Sequence, residues 1–340
     1  MNHSIRMVVA GIVLFWGPQT GQSNIIRIGT YNTFNNPDNA VEDAWFGTIF
    51  DGISNKAING TAARLDLLAV AETDTDSVAR LPRILNDIHG VSSYEAIVSS
   101  PDGGHDRTGI IYDTNSLTLL DSVELTAGFV HHILRGEFRP IGTGGGSDFF
   151  VYSIHLKSGS SNSAKTMRAE EAMRVRSDAD ALRNNAHVIF AGDFNMRSSD
   201  EGGWLNLVDS GNAQAFDVAG APGSWHENPE FLRLHTQDSR VAMDDRFDLQ
   251  LVTAELLDGK GLDYIADSFC VFGNNGTHHM NGPITGGNAA SEEIVAALVA
   301  ASDHLPTIAD YRIPDPNIVA IMFLAIIAKF WGKLRGRPRP

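Results

Sequence analysis

What constrains this chain's fold most is an apolar run that stops on charge. Val188, Ile189 and Phe190 read as a buried strand, and the run ends abruptly in Gly192-Asp193-Phe194-Asn195. A buried strand presupposes a sheet with other layers packed over it. Gly192 lets the backbone turn where the strand stops, so a carboxylate and a carboxamide reach the edge of that sheet together. Rigid strands aim the loops at their ends, and chemistry collects there. Taken alone, the tetrapeptide reads equally well as an Asx turn.

Four other polar-tipped segments decide between these readings. Arg27 to Asn32 ends a first strand on a carboxamide, and Leu67 to Glu72 ends a second on a carboxylate. Tyr152 to Ser158 carries His155 within an otherwise apolar strand, and Ser302-Asp303-His304-Leu305-Pro306 precedes a last strand. Singly, Asn32 could be a turn former, Glu72 a solvated strand end and His155 a satisfied core histidine. Between Ile25 and Arg312 the pattern predicts further strands at Tyr94–Ser99, Thr108–Tyr112, Phe149–Leu156 and Phe247–Val252. Helices are expected at Ser77–Ile88 and Ser163–Arg183. Gly142 to Gly146 reads as a hairpin turn, and residues 197–240 and 273–292 as long loops. No linker divides this α/β body.

The net charge of −15 excludes a duplex-coating protein, which needs basic phosphate contacts. It suits an enzyme whose carboxylates hold a cation. Cys270 is the single cysteine, so no intrachain disulfide forms, and the run SFCVF predicts a buried structural thiol. Arg6, the apolar run Met7 to Trp16 and a polar stretch have the layout of a secretory signal peptide over residues 1–23, or of a buried first strand. Residues 24–312 form the body. Residues 313–340 combine Pro314-Asp315-Pro316, the apolar Ile318 to Ala328 and a basic end. They resemble the bacterial PEP-CTERM sorting signals, with an amphipathic interfacial helix as the competing reading. Export is therefore expected, to the periplasm, cell surface or medium, with possible membrane attachment through the tail. No protein partner is inferred.

Five such sites in this order resemble the endonuclease/exonuclease/phosphatase superfamily, the DNase I-like fold. Arg107-Thr108-Gly109-Ile110 and Arg246-Phe247-Asp248 add secondary matches to its motifs. The resemblance implies a four-layer α/β sandwich, with two packed, mainly antiparallel β-sheets flanked by helices. It also implies that His304 and His155 flank a scissile phosphate, with Asp248 orienting His304 and Asp106 orienting His155. Arg139, with Arg135 as the other candidate, would match an arginine that approaches phosphate.

The residue types make chemical sense beside that resemblance. Cleaving a phosphate ester requires neutralised phosphate oxygens, an activated water and help for the leaving oxygen. A hard cation such as Mg2+ (Mn2+ or Ca2+ being alternatives) prefers oxygen ligands and needs only one or two carboxylates. Glu72 is the foremost metal ligand, with Asn32 and Asp303 beside it. Asp193 positions or deprotonates the water, and Asn195 donates to a phosphate oxygen. His304 is favoured as general base, with Asp193 as its rival. The expected activity is a metal-dependent phosphodiesterase, first of all a nuclease acting on nucleic acid. A phospholipid or sphingomyelin phosphodiesterase, or a small-molecule phosphatase, is the alternative. A non-catalytic surface protein on the same scaffold would lose catalytic positions, whereas every principal one is present.

Overall fold

The computed structural model describes residues 24–34, 40–73, 75–102 and 106–313. In chain order these form β1 (Ile25–Asn32), α1 (Ala40–Asn55), β2 (Ala57–Ile58), β3 (Thr61–Ala62), β4 (Leu67–Thr73), α2 (Thr75–His89), β5 (Tyr94–Val98), β6 (Arg107–Asp113), β7 (Leu117–Leu125) and β8 (Ile133–Pro140). There follow β9 (Phe149–His155), α3 (Asn162–Asp180), β10 (His187–Asp193), α4 (Gly202–Val208), β11 (Phe216–Asp217), β12 (Asp248–Val252), β13 (Asp263–Tyr264), β14 (Cys270–Val271), α5 (Glu292–Ala301) and β15 (Thr307–Arg312).

Side-chain alternation sorts these strands into layers. Ile26 and Ile28 of β1, Leu67 and Ala69 of β4, Val151 of β9 and Ile189 and Ala191 of β10 share one apolar cluster between two sheets. The intervening residues face outward. Tyr31, Leu68 and Val70 pack with Phe46, Phe50 and Leu298 of α1 and α5. Tyr152, Val188 and Phe190 pack with Ala172 and Val175 of α3. The result is the expected four-layer sandwich. One sheet runs β13-β15-β1-β4-β6-β5, with β14 also on β15; the other runs β11-β12-β10-β9-β8-β7. Pairing within them is antiparallel except for one central parallel pair in each, β1 with β4 and β9 with β10. That exception sets the position of the site, because the carboxyl ends of all four central strands gather at one end of the sandwich.

One buried cation ties the first layer together. Arg27 lies fully buried on β1 and grips Asp310 of β15 through Nε at 2.7 Å and Nη2 at 2.9 Å. Its Nη1 donates to the carbonyls of Ile53 and Lys56, each at 2.9 Å. Helix α1 has no basic residue in its last turn. Arg27 therefore adds a donor to the Ile53 carbonyl, which also accepts the Lys56 N–H at 3.1 Å, and supplies one to the Lys56 carbonyl just past the helix.

Several expectations change in detail. Residues 197–240 contain α4 and the short β11, and Trp204 and Trp225 pack edge to face there at 5.2 Å. Of the adjacent histidines in the 273–292 segment, His278 is buried and His279 exposed. Cys270 is partly buried in β14, and desolvation pushes its thiol up to about 11. Among the described residues no helix is long and apolar enough to cross a membrane. The leader at 1–23 and the tail from 314 onward lie outside the described residues.

Candidate active site

Strand register assembles most of the site. In the second sheet Asp193 stands beside His155 of β9 on one side and Asp248 of β12 on the other, in one row across three strands. Each has the parity of the residues that fill the space between the sheets, so the row continues that layer where apolar side chains give way to polar ones. From the first sheet Asn32, at the end of β1, reaches into the same space. Its Nδ2 donates to Glu72 Oε1 at 2.9 Å and to Asp193 Oδ2 at 3.1 Å, bridging the two sheets.

Backbone exceptions aim two of the ligands. By alternation Glu72 would face the helices, but the β4–β6 register shifts between Val70 and Thr73. Glu72 itself adopts φ +47°, and this bulge turns its side chain to the site. Asn195 is left-handed as well, at φ +54°, and its backbone N–H donates to Asp193 Oδ1 at 2.8 Å. The Asx turn and the functional reading of this loop are thus one geometry. Left-handed non-glycine residues of this kind gather at functional sites. Gly192, at φ +147°, meets the Ile154 carbonyl so closely that a Cβ would lie 2.0 Å from its oxygen.

The last strand brings His304. Ser302 Oγ donates to the Asn32 carbonyl at 2.8 Å and accepts the His304 N–H at 3.0 Å, locking this turn to the end of β1. His304 Nδ1 donates to Asp248 Oδ2 at 2.7 Å, which turns Nε2 toward Asp193 Oδ2 at 3.8 Å. His155 Nε2 lies 3.6 Å from Glu72 Oε1 and 3.8 Å from Asp193 Oδ2. Asn195 Nδ2 gives one proton to the Leu156 carbonyl at 3.1 Å; an amide carries a second.

The two histidines are held in opposite charge states. Burial, reinforced electrostatically by His131, His304 and Lys157, drives His155 well below its ordinary range, so it is neutral. Burial would also depress His304, but the Asp248 and Asp193 carboxylates outweigh it and hold the ring cationic. Asp193 is pushed up by burial, and by Asp248 and Glu72 against the counter-pull of His304. These neighbours titrate together rather than singly. Glu72 is likewise raised by burial, with Asp106 and Asp303 adding to the shift.

The donor set fits a hard divalent cation. Glu72 and Asp193 offer carboxylate oxygens close together, Asp303 lies near enough to raise Glu72 electrostatically, and Asp303 Oδ1 and Asp248 Oδ1 are buried without a hydrogen-bond partner among the described residues. Carboxylates that raise one another's pKa lack positive charge, and Glu72, His155 and Asp193 present ligand atoms within 4.8 Å of one another.

Two expected roles do not survive. Arg139 forms a forked pair with Asp148, at 2.6 and 2.7 Å. It lies at the far end of β8, which runs antiparallel to β9: its neighbour Phe138 pairs with Phe149, at the opposite end of β9 from His155. Arg135 is held by Asp178. Asp106 does not hydrogen-bond to His155, whose Nδ1 has no partner among the described residues. Its Oδ2 stands 3.6 Å from Nδ1 of His131, a residue the sequence reading passed over. His131 is anchored by Asp102 at 2.6 Å and stacks on His155 with ring centroids 4.0 Å apart. The adjacent pair His131-His132 just before β8 was the available signal.

With this geometry in hand, comparison with known proteins is informative. The Endonuclease/Exonuclease/phosphatase family model matches residues 29–304. A humanized D. rerio TDP2 carrying 14 mutations is similar in fold, with 16% identity, TM-score 0.55, and coverage of 85% of this chain and 100% of its own. The endonuclease/exonuclease/phosphatase from Bacteroides vulgatus gives 15% identity and TM-score 0.56, covering 85% and 99%. The human Nocturnin catalytic domain with bound sulfate anion gives 13% identity and TM-score 0.54, covering 86% and 96%. No curated protein sequence matches the chain significantly.

Proposed function

The chain belongs to the endonuclease/exonuclease/phosphatase family, and on that premise we propose that it hydrolyses phosphodiester bonds with a divalent cation, its substrate being nucleic acid. The observation that carries this reading is the placement of His155 and His304 about Asp193, Nε2 of each 3.8 Å from its Oδ2, with His304 fixed by Asp248. Environments that push like groups apart divide acid from base work.

Glu72, Asn32 and Asp303 would hold the cation, Mg2+ by the hardness of their oxygens, with Mn2+ or Ca2+ as substitutes. When bound, it neutralises phosphate oxygens and the developing charge on the leaving group. The chain's own residues do the rest. His304, cationic and fixed by Asp248, donates Nε2–H to the phosphate and stabilises its charge. Asp193, raised toward neutrality, accepts the proton of the attacking water, so the electrostatics favour it over His304 as general base. Neutral His155 lines the opposite wall, and the second amide proton of Asn195 donates to a phosphate oxygen.

Nucleic acid is favoured by a stacking surface at the mouth. Phe34, two residues beyond Asn32, is 43% exposed, and the Arg240 guanidinium sits 4.6 Å from its ring centroid. An aromatic face beside a cation suits an unpaired base next to its phosphate. The lipid reading needs an apolar docking loop, and Trp204 and Trp225 are buried against each other instead. Export and tethering are proposed from the leader and tail alone, and cell fractionation tests them.

The full chain, given Mg2+ or Mn2+, is expected to cleave plasmid DNA or single-stranded RNA in preference to sphingomyelin and phosphoinositides, and to stop with EDTA. A folded protein that hydrolyses no phosphoester would sink the proposal. Phe34→Ala should raise KM for nucleic acid while leaving bis-p-nitrophenyl phosphate hydrolysis unchanged.

A further inference from the structure

We propose that His131 is the residue that positions His155: its ring, stacked flat on His155 and fixed in turn by its own neighbours, aims the His155 Nε2 at the phosphodiester site. The effect on rate rests on the proposed function; the restraint on the ring does not.

The two site histidines are held by different means. His304 is fixed by a hydrogen bond, Nδ1 to Asp248 Oδ2 at 2.7 Å. His155 has no such partner among the described residues. Its Nδ1 is buried and unbonded, and its Nε2 stands 3.6 Å from Glu72 Oε1 and 3.8 Å from Asp193 Oδ2, beyond hydrogen-bond reach. The χ2 torsion of a histidine is broad, so a hydrogen bond or packing must choose the direction of the ring. Here packing chooses it. The His131 ring lies 4.0 Å from that of His155, centroid to centroid, with the planes 10° apart. Turning the His155 ring about χ2 would drive its edge into that face.

Three anchors hold the stacking face in place. Asp102 Oδ2 accepts from His131 Nδ1 at 2.6 Å, so that nitrogen is spent on orientation. Glu171 of α3, only 2% exposed, accepts the Val130 N–H at 2.9 Å and the Lys157 N–H at 2.8 Å. One carboxylate thus ties the residue before His131 to the second residue beyond His155. Thr108 of β6 donates its hydroxyl to the His132 carbonyl at 2.8 Å. The backbones that carry the two rings are therefore clamped to each other, and the segment before β8 presents a flat ring to the end of β9.

Substitution separates the ring from its nitrogens. On bis-p-nitrophenyl phosphate with Mg2+, His131→Ala should lower kcat about ten- to a hundredfold, the scale of a misplacement of about an ångström, with KM less affected. His131→Phe, which keeps a flat ring, should stay within about threefold of wild type. In a His155→Ala background, His131→Ala should cost less than about twofold, because residues that act through one another are not additive. A residue needed only for folding costs the same in both backgrounds. Should His131→Ala fail to fold by circular dichroism, Asp102→Ala takes its place, with a smaller loss in the same direction. A wild-type rate in His131→Ala, a His131→Phe as slow as His131→Ala, or additive losses overturn the proposal. A readout without activity is the nuclear magnetic resonance signal of the His155 Hε1 proton, assigned by its absence in His155→Ala. The facing ring should shift it upfield in wild type and His131→Phe but not in His131→Ala, and a signal at one position in all three overturns the restraint. A shift that follows the ring, in a chain that hydrolyses nothing, supports the restraint and rejects the phosphodiesterase.

Discussion

Single atoms decide much here. A methyl group at Gly192 would be driven into the Ile154 carbonyl, at a φ that L side chains rarely adopt. Gly192→Ala should therefore cost about 3 kcal/mol, read by urea denaturation, and separate β9 from β10. His304→Gln should lower kcat by about two to four orders of magnitude while a cooperative thermal transition persists. Asp248→Asn should cost less, and the double variant little more than His304→Gln alone, because the two side chains act as a unit. His235 provides a titration away from the site. It is fully buried, donates Nε2–H to the Trp225 carbonyl at 2.9 Å, and is lowered by burial to about 4 from an ordinary 6.5. A depressed histidine binds fewer protons folded than unfolded, so its contribution is complete above about pH 6.5 and is lost as pH falls toward 4. The Tm advantage of wild type over His235→Gln should shrink across that window. At this scale the sequence pointed to most of the side chains that the fold gathers at the candidate site, but not to their neighbours. His131 reaches His155 only through a loop fold that no spacing encodes, and the bulge that turns Glu72 leaves no mark in LLAVAET.

Among the elements, legibility follows burial. The central strands β1, β4, β9 and β10 are buried along nearly their whole length and appear as apolar runs. The edge strand β7 has a single buried residue, Leu117, and its LTLLDSVEL shows no clean alternation, whereas β8 alternates, with charges on its outer face. Helix α1 mixes Gly, Thr, Phe and Trp, poor helix formers, and is stabilised by what packs on it. Arg139 was misjudged through direction: an antiparallel β8 puts its first residues, not its last, beside His155. Arg27 shows one element completing another. Arg27→Met should destabilise the fold by about 3–5 kcal/mol, since it strands the buried Asp310 carboxylate. Adding Asp310→Leu should recover much of that loss in chemical denaturation, an outcome that a purely local role for Arg27 would not give.

For the whole molecule, the site is a seam between two sheets, and a cation bound there should stabilise the native state. At a Mg2+ concentration about 100 times its Kd the gain is about 2.7 kcal/mol, seen as a rise in Tm that Glu72→Gln removes. The seam also has a temporal consequence. Asn32 and the Ser302 that fastens it are 270 residues apart, and β15 pairs with β1. Contacts between such distant parts of a chain form late. Until the final strand docks, the growing chain has neither His304 nor a fixed Asn32. On the proposed function, a chain still being translated would lack hydrolytic activity until β15 pairs with β1.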